Sequence, residues 1–287
     1  MKNQHASQLL GLTVATLFIS TSGALGKYIG MPTPVIIWWR SALGLLFIYG
    51  YCRFKKINIT IQSKRDLLTF TVSSLFLGAH WITYFYSLKL SNVAIGMLSL
   101  FTFPVITALL EPIFIKIKFD PIHIILGLLV LLGIYILAPE INFESEYFKG
   151  ILLGILSAVF YSIRILILKQ HIVSYNGTML MLYQLVILTI VLLPVLFLMD
   201  TSEIKSQYPY VLILALVTTA IGHTLFVKSL NHFKASTASI ITSIQPIFGI
   251  IIAYFFLKEI PTWNTLIGGL IILSTVIIES VRSSRVQ

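Results

Sequence analysis

Apolar residues in this chain fall in long runs broken by short polar connections, not in the alternating or one-sided patterns that mark the elements of a water-soluble core. Ten runs can be traced, at about Gln8–Ile29, Pro34–Cys52, Leu67–Leu88, Asn92–Ile115, Ile122–Leu137, Phe148–Leu168, Gly177–Met199, Tyr210–Leu230, Ala235–Leu257 and Trp263–Ile278. Each approaches the roughly 20 residues with which a helix crosses a bilayer. The pattern predicts an all-α membrane protein with ten transmembrane helices and no soluble domain. The first run follows Lys2, as in a signal peptide, but it is longer than a signal peptide's apolar core.

A second pattern lies over the first. The stretch "SLFTFPVITALLEPIFIKIK" carries Pro104 in the middle of an apolar run, and "SIQPIFGIIIAYFFLKE" carries Pro246, 142 positions later. At the same offset Ser87–Leu88 meets Ser229–Leu230, Phe114 meets Phe256, Lys116 meets Lys258 and Gly127–Leu128 meets Gly269–Leu270. Nearer the start the offset is 143, where Gly11 and Ala15 meet Gly154 and Ala158. The chain therefore divides into two repeats of five runs, residues 8–138 and 148–281. An odd number of crossings sends the second repeat into the membrane upside down. Two inverted-topology five-helix repeats form a transporter architecture, with the site near the bilayer midplane between the halves.

The two prolines are the hinge candidates. Read as helix-interior residues, each costs about 3 kcal/mol through a lost hydrogen bond and a steric clash. Each also frees the carbonyl four residues earlier, on Leu100 and Thr242. Such a carbonyl is tolerable where it lines a cavity. Small residues precede both prolines, with Ala94, Gly96 and Ser99 in one repeat and Ala235, Ser236, Ala238 and Ser239 in the other. They permit close helix contact.

Composition supports the membrane reading and narrows the chemistry. Hydrophobic residues make up 57% of the chain, charged residues 10%, and mean hydropathy is +0.94; a soluble domain carries about 25% charged residues. One cysteine, Cys52, excludes an internal disulfide framework, and no Cys/His spacing suggests a metal; no cofactor is expected. The net charge of +10 could suggest nucleic acid, but its distribution suggests topology. With the N-terminus inside, 13 basic residues fall in inner segments and 5 in outer ones, with Arg40 and Arg164 inside spans. This bias predicts cytoplasmic termini. No basic domain or arm exists to bind nucleic acid.

A charge within a span costs roughly 2.5–3.5 kcal/mol on insertion scales, so it should face a partner or a cavity. Arg40 is the leading candidate for substrate or gate contact, since a guanidinium pairs with a carboxylate through two parallel hydrogen bonds. Arg164, beside Lys169, is expected to snorkel to the inner surface, and Glu111 to pair with Lys116 or Lys118. Lys27 and Lys228 are expected to be structural. His80 and His223 lie deep enough to carry a coupling proton. Trp39 and Tyr84 are candidates for a cavity wall, and Tyr183, Gln184 and Gln245 for neutral hydrogen bonds to a zwitterion or sugar-like group. Each also admits an ordinary helix–helix role.

The stretches "YFYSLKLSNVAIGMLSLFTFPVITALLEP" and "FVKSLNHFKASTASIITSIQPIFGIIIAYFFLKEIPTWNTLIGGLIIL" resemble the drug/metabolite transporter superfamily, in its ten-helix form with two tandem EamA domains. The second repeat keeps that family's "LKE" with Glu259, whereas the first has "IKIKFDP" and lacks the acid. Arg40 in "WWR" is similar to the family's arginine early in that helix; the seventh run has "YQ" there instead. The resemblance implies an exporter of amino acids or similar small metabolites in a bacterial cytoplasmic membrane. The alternative within transport is efflux of lipophilic cations, which favours a deep carboxylate. An intramembrane enzyme is disfavoured: no "HExxH" or "GxSxG" is present, and Asp66, Asp120 and Asp200 fall in connections. The ridge Gly150–Gly154–Ala158 suits either internal packing or a homodimer.

Overall fold

The computed structural model describes residues 2–114, 119–138, 142–169, 175–229 and 242–286, and the secondary structure among them is helical. In the first repeat the helices are α1 (Lys2–Tyr28), α2 (Thr33–Phe54), α3 (Lys64–Leu90), α4 (Val93–Leu100), α5 (Phe103–Phe114) and α6 (Ile122–Leu137). The second repeat has α7 (Glu146–Lys169), α8 (Gly177–Val191), α9 (Val195–Leu198), α10 (Ile204–Ile213), a π-helical segment (Leu214–His223), α11 (Thr224–Ser229), α12 (Gln245–Leu257) and α13 (Trp263–Val286). Among the described residues six helical stretches are long and apolar enough to cross a membrane: Thr33–Phe54, Lys64–Leu90, Val93–Phe114, Glu146–Leu168, Gly177–Leu198 and Ile204–Phe226. Ile122–Leu137, Gln245–Leu257 and Trp263–Glu279 are shorter apolar helices.

The prolines break their helices instead of bending them. The fourth span is two helices, α4 and α5, joined by a turn at Phe101–Thr102, and Pro104 is the second residue of α5. Pro246 is likewise the second residue of α12. This corrects the helix-interior reading. In a first turn the backbone N–H has no intrahelical acceptor anyway, so proline costs little there. The turn is held by local bonds, from Phe101 N–H to Met97 O (2.9 Å) and from Thr102 Oγ1 to Ser99 O (2.8 Å). Ser162 Oγ of α7 donates to Phe103 O at 3.1 Å. Ala94, Gly96 and Ser99 are buried in α4; Ala235, Ser236, Ala238 and Ser239 lie outside the described residues.

The most extensive helix pairings cross between the repeats. Helix α3 packs on α7, α6 on α13, α1 on α12 and on the π-helical segment, and α2 on α8. Small residues set the distances. A Cβ on Gly154 would stand 2.5 Å from Ser99 Cβ, and one on Gly150 2.8 Å from Ser91 Cβ. The Gly150–Gly154–Ala158 ridge thus packs internally, against the ends of α3 and α4. At Gly268 an added Cβ would meet Gly133 O at 2.7 Å, so α6 and α13 touch backbone to backbone.

Polar ties mark the ends of the bundle. Glu259 Oε2 accepts a 2.8 Å bond from Val93 N–H, so the acid retained in the second repeat caps a helix of the first. A carboxylate suits the positive end of that helix. Lys27 Nζ donates to Lys89 O and Ser91 O, and Lys89 Nζ to Met31 O, as expected of a structural lysine. The partners expected for Glu111, Lys116 and Lys118, lie outside the described residues, as does the Lys228 side chain. At another end Arg282 of α13 bonds Asp120, His123 and Glu279, bridging to the start of α6. Arg282 holds the Asp120 carboxyl below the usual carboxylate range.

Two outcomes are expected. Gly154→Val should lower thermal stability in detergent by about 1–3 kcal/mol through overpacking, whereas Gly50→Ala, with nothing within 4 Å of the added Cβ, should not. For Asp120 the folded pKa is depressed, so its contribution is complete above the unfolded value of about 3.9 and is lost as pH falls below it. Melting curves of wild type and Arg282→Gln should therefore differ modestly at neutral pH and converge in acid.

Candidate functional site

Between the two helix breaks lies a cavity of about 40 Å³. Eight of its lining residues form four pairs of repeat equivalents 142 positions apart: Trp81 with His223, Tyr84 with Phe226, Leu100 with Thr242, and Phe103 with Gln245; Ile19 of α1 and Tyr161 of α7 also line it. The axis relating the repeats therefore passes through this cavity. Leu100 and Thr242, whose carbonyls the prolines cannot serve, are one of the pairs. Ser22, Arg40, His80 and Phe101 complete the lining. Ligand pockets run to roughly 300–1,000 Å³, so the chamber as it stands holds a few waters and must widen to admit a metabolite.

Arg40 is 1% exposed. Its Nε donates to Thr219 Oγ1 at 2.6 Å, its Nη2 to His223 Nε2 at 3.3 Å, and its Cζ lies 3.9 Å from the centre of the Trp81 ring. Thr219 is held by the π-helical winding, since its Oγ1 donates to Leu214 O five residues back at 3.2 Å. Gly44, one turn beyond Arg40, lets that segment approach: a Cβ there would meet Thr219 Cγ2 at 3.1 Å. The bonds of the Arg40 guanidinium among the described residues go to neutral groups, Thr219 and His223, and not to a carboxylate.

The hydrogen-bond network assigns the imidazole tautomers. Ser157 Oγ donates to His80 O at 2.9 Å, so in its 2.7 Å contact with His80 Nδ1 it must accept. His80 carries its proton on Nδ1. His223 accepts from Arg40 at Nε2, which leaves its proton on Nδ1, where it has no partner. The chamber is thus rich in donors and lacks acids.

Arg164 corrects an expectation. It does not snorkel but is 3% exposed, donating from Nη2 to Gln184 Oε1 at 2.7 Å. Gln184 in turn donates to Ser73 Oγ at 2.8 Å. The reason is that α7 presents Arg164 to the bundle interior, behind the cavity-lining Tyr161, whose ring centre is 5.7 Å from Arg164 Cζ. Arg164 Nε is buried without a partner.

The structure brings Arg40, His80, Tyr84, His223 and Gln245 together around one chamber and leaves three candidates elsewhere. Tyr183 donates to Ile59 O at 2.8 Å, fastening the α2–α3 connection. Gln184 holds Arg164. Trp39 packs against the core and against Trp38, whose Nε1 bonds Thr189 O. Trp81, which clusters with Tyr84 beside His80 in the sequence, joins the wall, as do Tyr161 and Phe226, which the sequence does not single out; the 142-residue offset marks Phe226 through Tyr84.

The EamA-like transporter family profile matches residues 6–138 and 148–280. The chain belongs to the EamA-like transporter family. It is accordingly a multi-pass membrane transporter, not an enzyme, built from two tandem EamA repeats. The pseudopaline exporter CntI of Pseudomonas aeruginosa is 24% identical over 270 residues, 93% of each chain. An uncharacterized transporter of Archaeoglobus fulgidus is 24% identical over 270 residues, covering 93% of this chain and 94% of that one. A solved crystal structure superposes with a TM-score of 0.70 at 16% identity, covering 98% of this chain and 99% of the other, a likeness of fold.

Thr219→Val should lower thermal stability by about 1–3 kcal/mol, because it leaves the buried Arg40 Nε without an acceptor. Thr219→Ser should melt close to wild type, which differential scanning of the purified protein checks.

Proposed function

We propose that this EamA-family protein exports a small polar metabolite bearing a carboxylate, such as an amino acid, across the cytoplasmic membrane by alternating access. The observation that carries this reading is Arg40, a buried guanidinium on the inter-repeat axis with no acidic partner. An uncompensated charge in a span is costly, and a substrate carboxylate can supply the missing countercharge through charge-assisted hydrogen bonds. The relative named as a pseudopaline exporter supports export of a metabolite. The donor His223 Nδ1 and the neutral Gln245 and Tyr84 suit the polar remainder of such a ligand.

In this reading the helix breaks before Pro104 and Pro246 are the hinges at which the chamber opens to one side and then the other. His80 and His223 supply the titratable groups for a coupling proton. The 13-to-5 bias of basic residues supports both termini on the cytoplasmic side. Efflux of lipophilic cations suits the chamber poorly, because its fixed charge has the same sign as that cargo.

The test is flux in proteoliposomes with labelled amino acids, a sugar and a lipophilic cation, comparing wild type with Arg40→Ala. Zwitterion flux that falls at least about tenfold in the variant is expected, matching the loss of one charge-assisted bond. Cation flux that survives the substitution, with no zwitterion flux in wild type, would overturn the reading.

A further inference from the structure

Two guanidiniums, not one, are sunk into this bundle without acidic partners. Arg40 comes from the first repeat and Arg164 from the second, 1% and 3% exposed. They are not repeat equivalents, so symmetry did not place both. Each is positioned by neutral groups, Arg40 by Thr219 and His223, and Arg164 by Gln184 and the Tyr161 hydroxyl. A structural arginine in a membrane interior is normally neutralised by an acid or drawn to the surface. Neither has happened here. Each is costly to bury alone, and together they repel each other in a medium of low dielectric.

The positions relate the two to a single chamber. Arg40 forms part of the wall, while Arg164 stands one layer back with Tyr161 between it and the chamber. The Tyr161 ring also packs at a tilt against His80, ring centres 4.6 Å apart. The cavity of about 40 Å³ has to widen before any metabolite fits. The layer to displace is Tyr161, whose hydroxyl is hydrogen-bonded to Arg164; its movement exposes a guanidinium that gives up that bond and whose Nε already lacks an acceptor.

We infer that the transported metabolite is a dianion, with one acidic group held by Arg40 and a second by Arg164 once Tyr161 has swung aside. The inference rests on the reading of the chamber as a carboxylate site and adds the second charge. A monoanion would neutralise Arg40 and leave Arg164 uncompensated in a closed chamber. A dicarboxylate neutralises both, each through a planar pairing that excludes water. Ser73 and Gln184 serve to aim Arg164, so they are positioning residues and not ligands.

The test uses matched pairs of probes that differ by one carboxylate: glutamine and glutamate, alanine and aspartate, butyrate and succinate. Binding to the full chain in lipid nanodiscs is measured for wild type, Arg164→Gln, Arg164→Lys and Arg40→Gln. Wild type should bind the diacid of at least one pair about tenfold or more tightly than its monoacid, one charge-assisted bond's worth. Arg164→Gln should abolish that preference while leaving monoacid affinity within about twofold, on the rule that distant contacts act independently. The retained monoacid binding also shows that the variant is folded. Arg164→Lys should restore part of the preference, and Arg40→Gln should weaken both members of the pair. Equal binding of monoacid and diacid by wild type, or an equal loss of both in Arg164→Gln, would overturn the dianion and leave the carboxylate site standing. Binding unaffected by Arg40→Gln, or no carboxylate bound at all, would overturn both.

Discussion

Within the hydrocarbon layer an unpaired backbone N–H or C=O costs several kcal/mol, because no water is at hand to satisfy it. Among the described residues helices meet that constraint over most of each span, and the breaks associated with Pro104 and Pro246 face the interior. A helix stops and another starts just before Pro104, Pro246 stands in the first turn of its helix, and the residues four positions before the prolines, Leu100 and Thr242, line the chamber. Irregular backbone is tolerated there because the interior of the bundle, not lipid, surrounds it. The breaks, the chamber and the repeat axis are thus three views of one solution.

Packing serves the same end. Without a hydrophobic drive between helices in lipid, close approach depends on small residues. Gly154 against Ser99, Gly249 against Met97 and Gly133 against Gly268 bring helices of opposite repeats into contact. The repeats interlock through α3 and α7 and through α1 and the π-helical segment, so neither half is a body that moves freely of the other. That segment also carries Thr219 and His223, the two groups that hold Arg40. A winding of this kind, rare and concentrated at functional sites, here supplies a hydroxyl that both accepts from the guanidinium and donates to its own backbone.

The chamber departs from the symmetry that builds it. Within the four lining pairs an apolar member can face a polar one, as with Leu100 and Thr242, and Phe103 and Gln245. The second repeat contributes most of the polar members, whereas Arg40 and His80 come from the first. Duplication set out a symmetric frame, and substitution within it made an asymmetric, donor-rich interior suited to a ligand with distinct ends.

Long apolar runs, the 142-residue offset and the scarcity of charge settled the helical membrane class and the two repeats, because burial in lipid constrains every span in the same way. Arg40, His80 and His223 were legible as well, since a polar group at mid-span is expensive enough to need a reason. The sequence alone reads the helix breaks as interior kinks, because a proline looks alike in sequence whether it interrupts a helix or begins one. The burial of Arg164 is hidden for a related reason: distance from the end of a span says how deep a residue lies but not which way its helix faces. That direction depends on packing against other helices, and only the tertiary structure turned Arg164 inward, set Tyr161 between it and the chamber, and sent Tyr183 and Trp39 elsewhere.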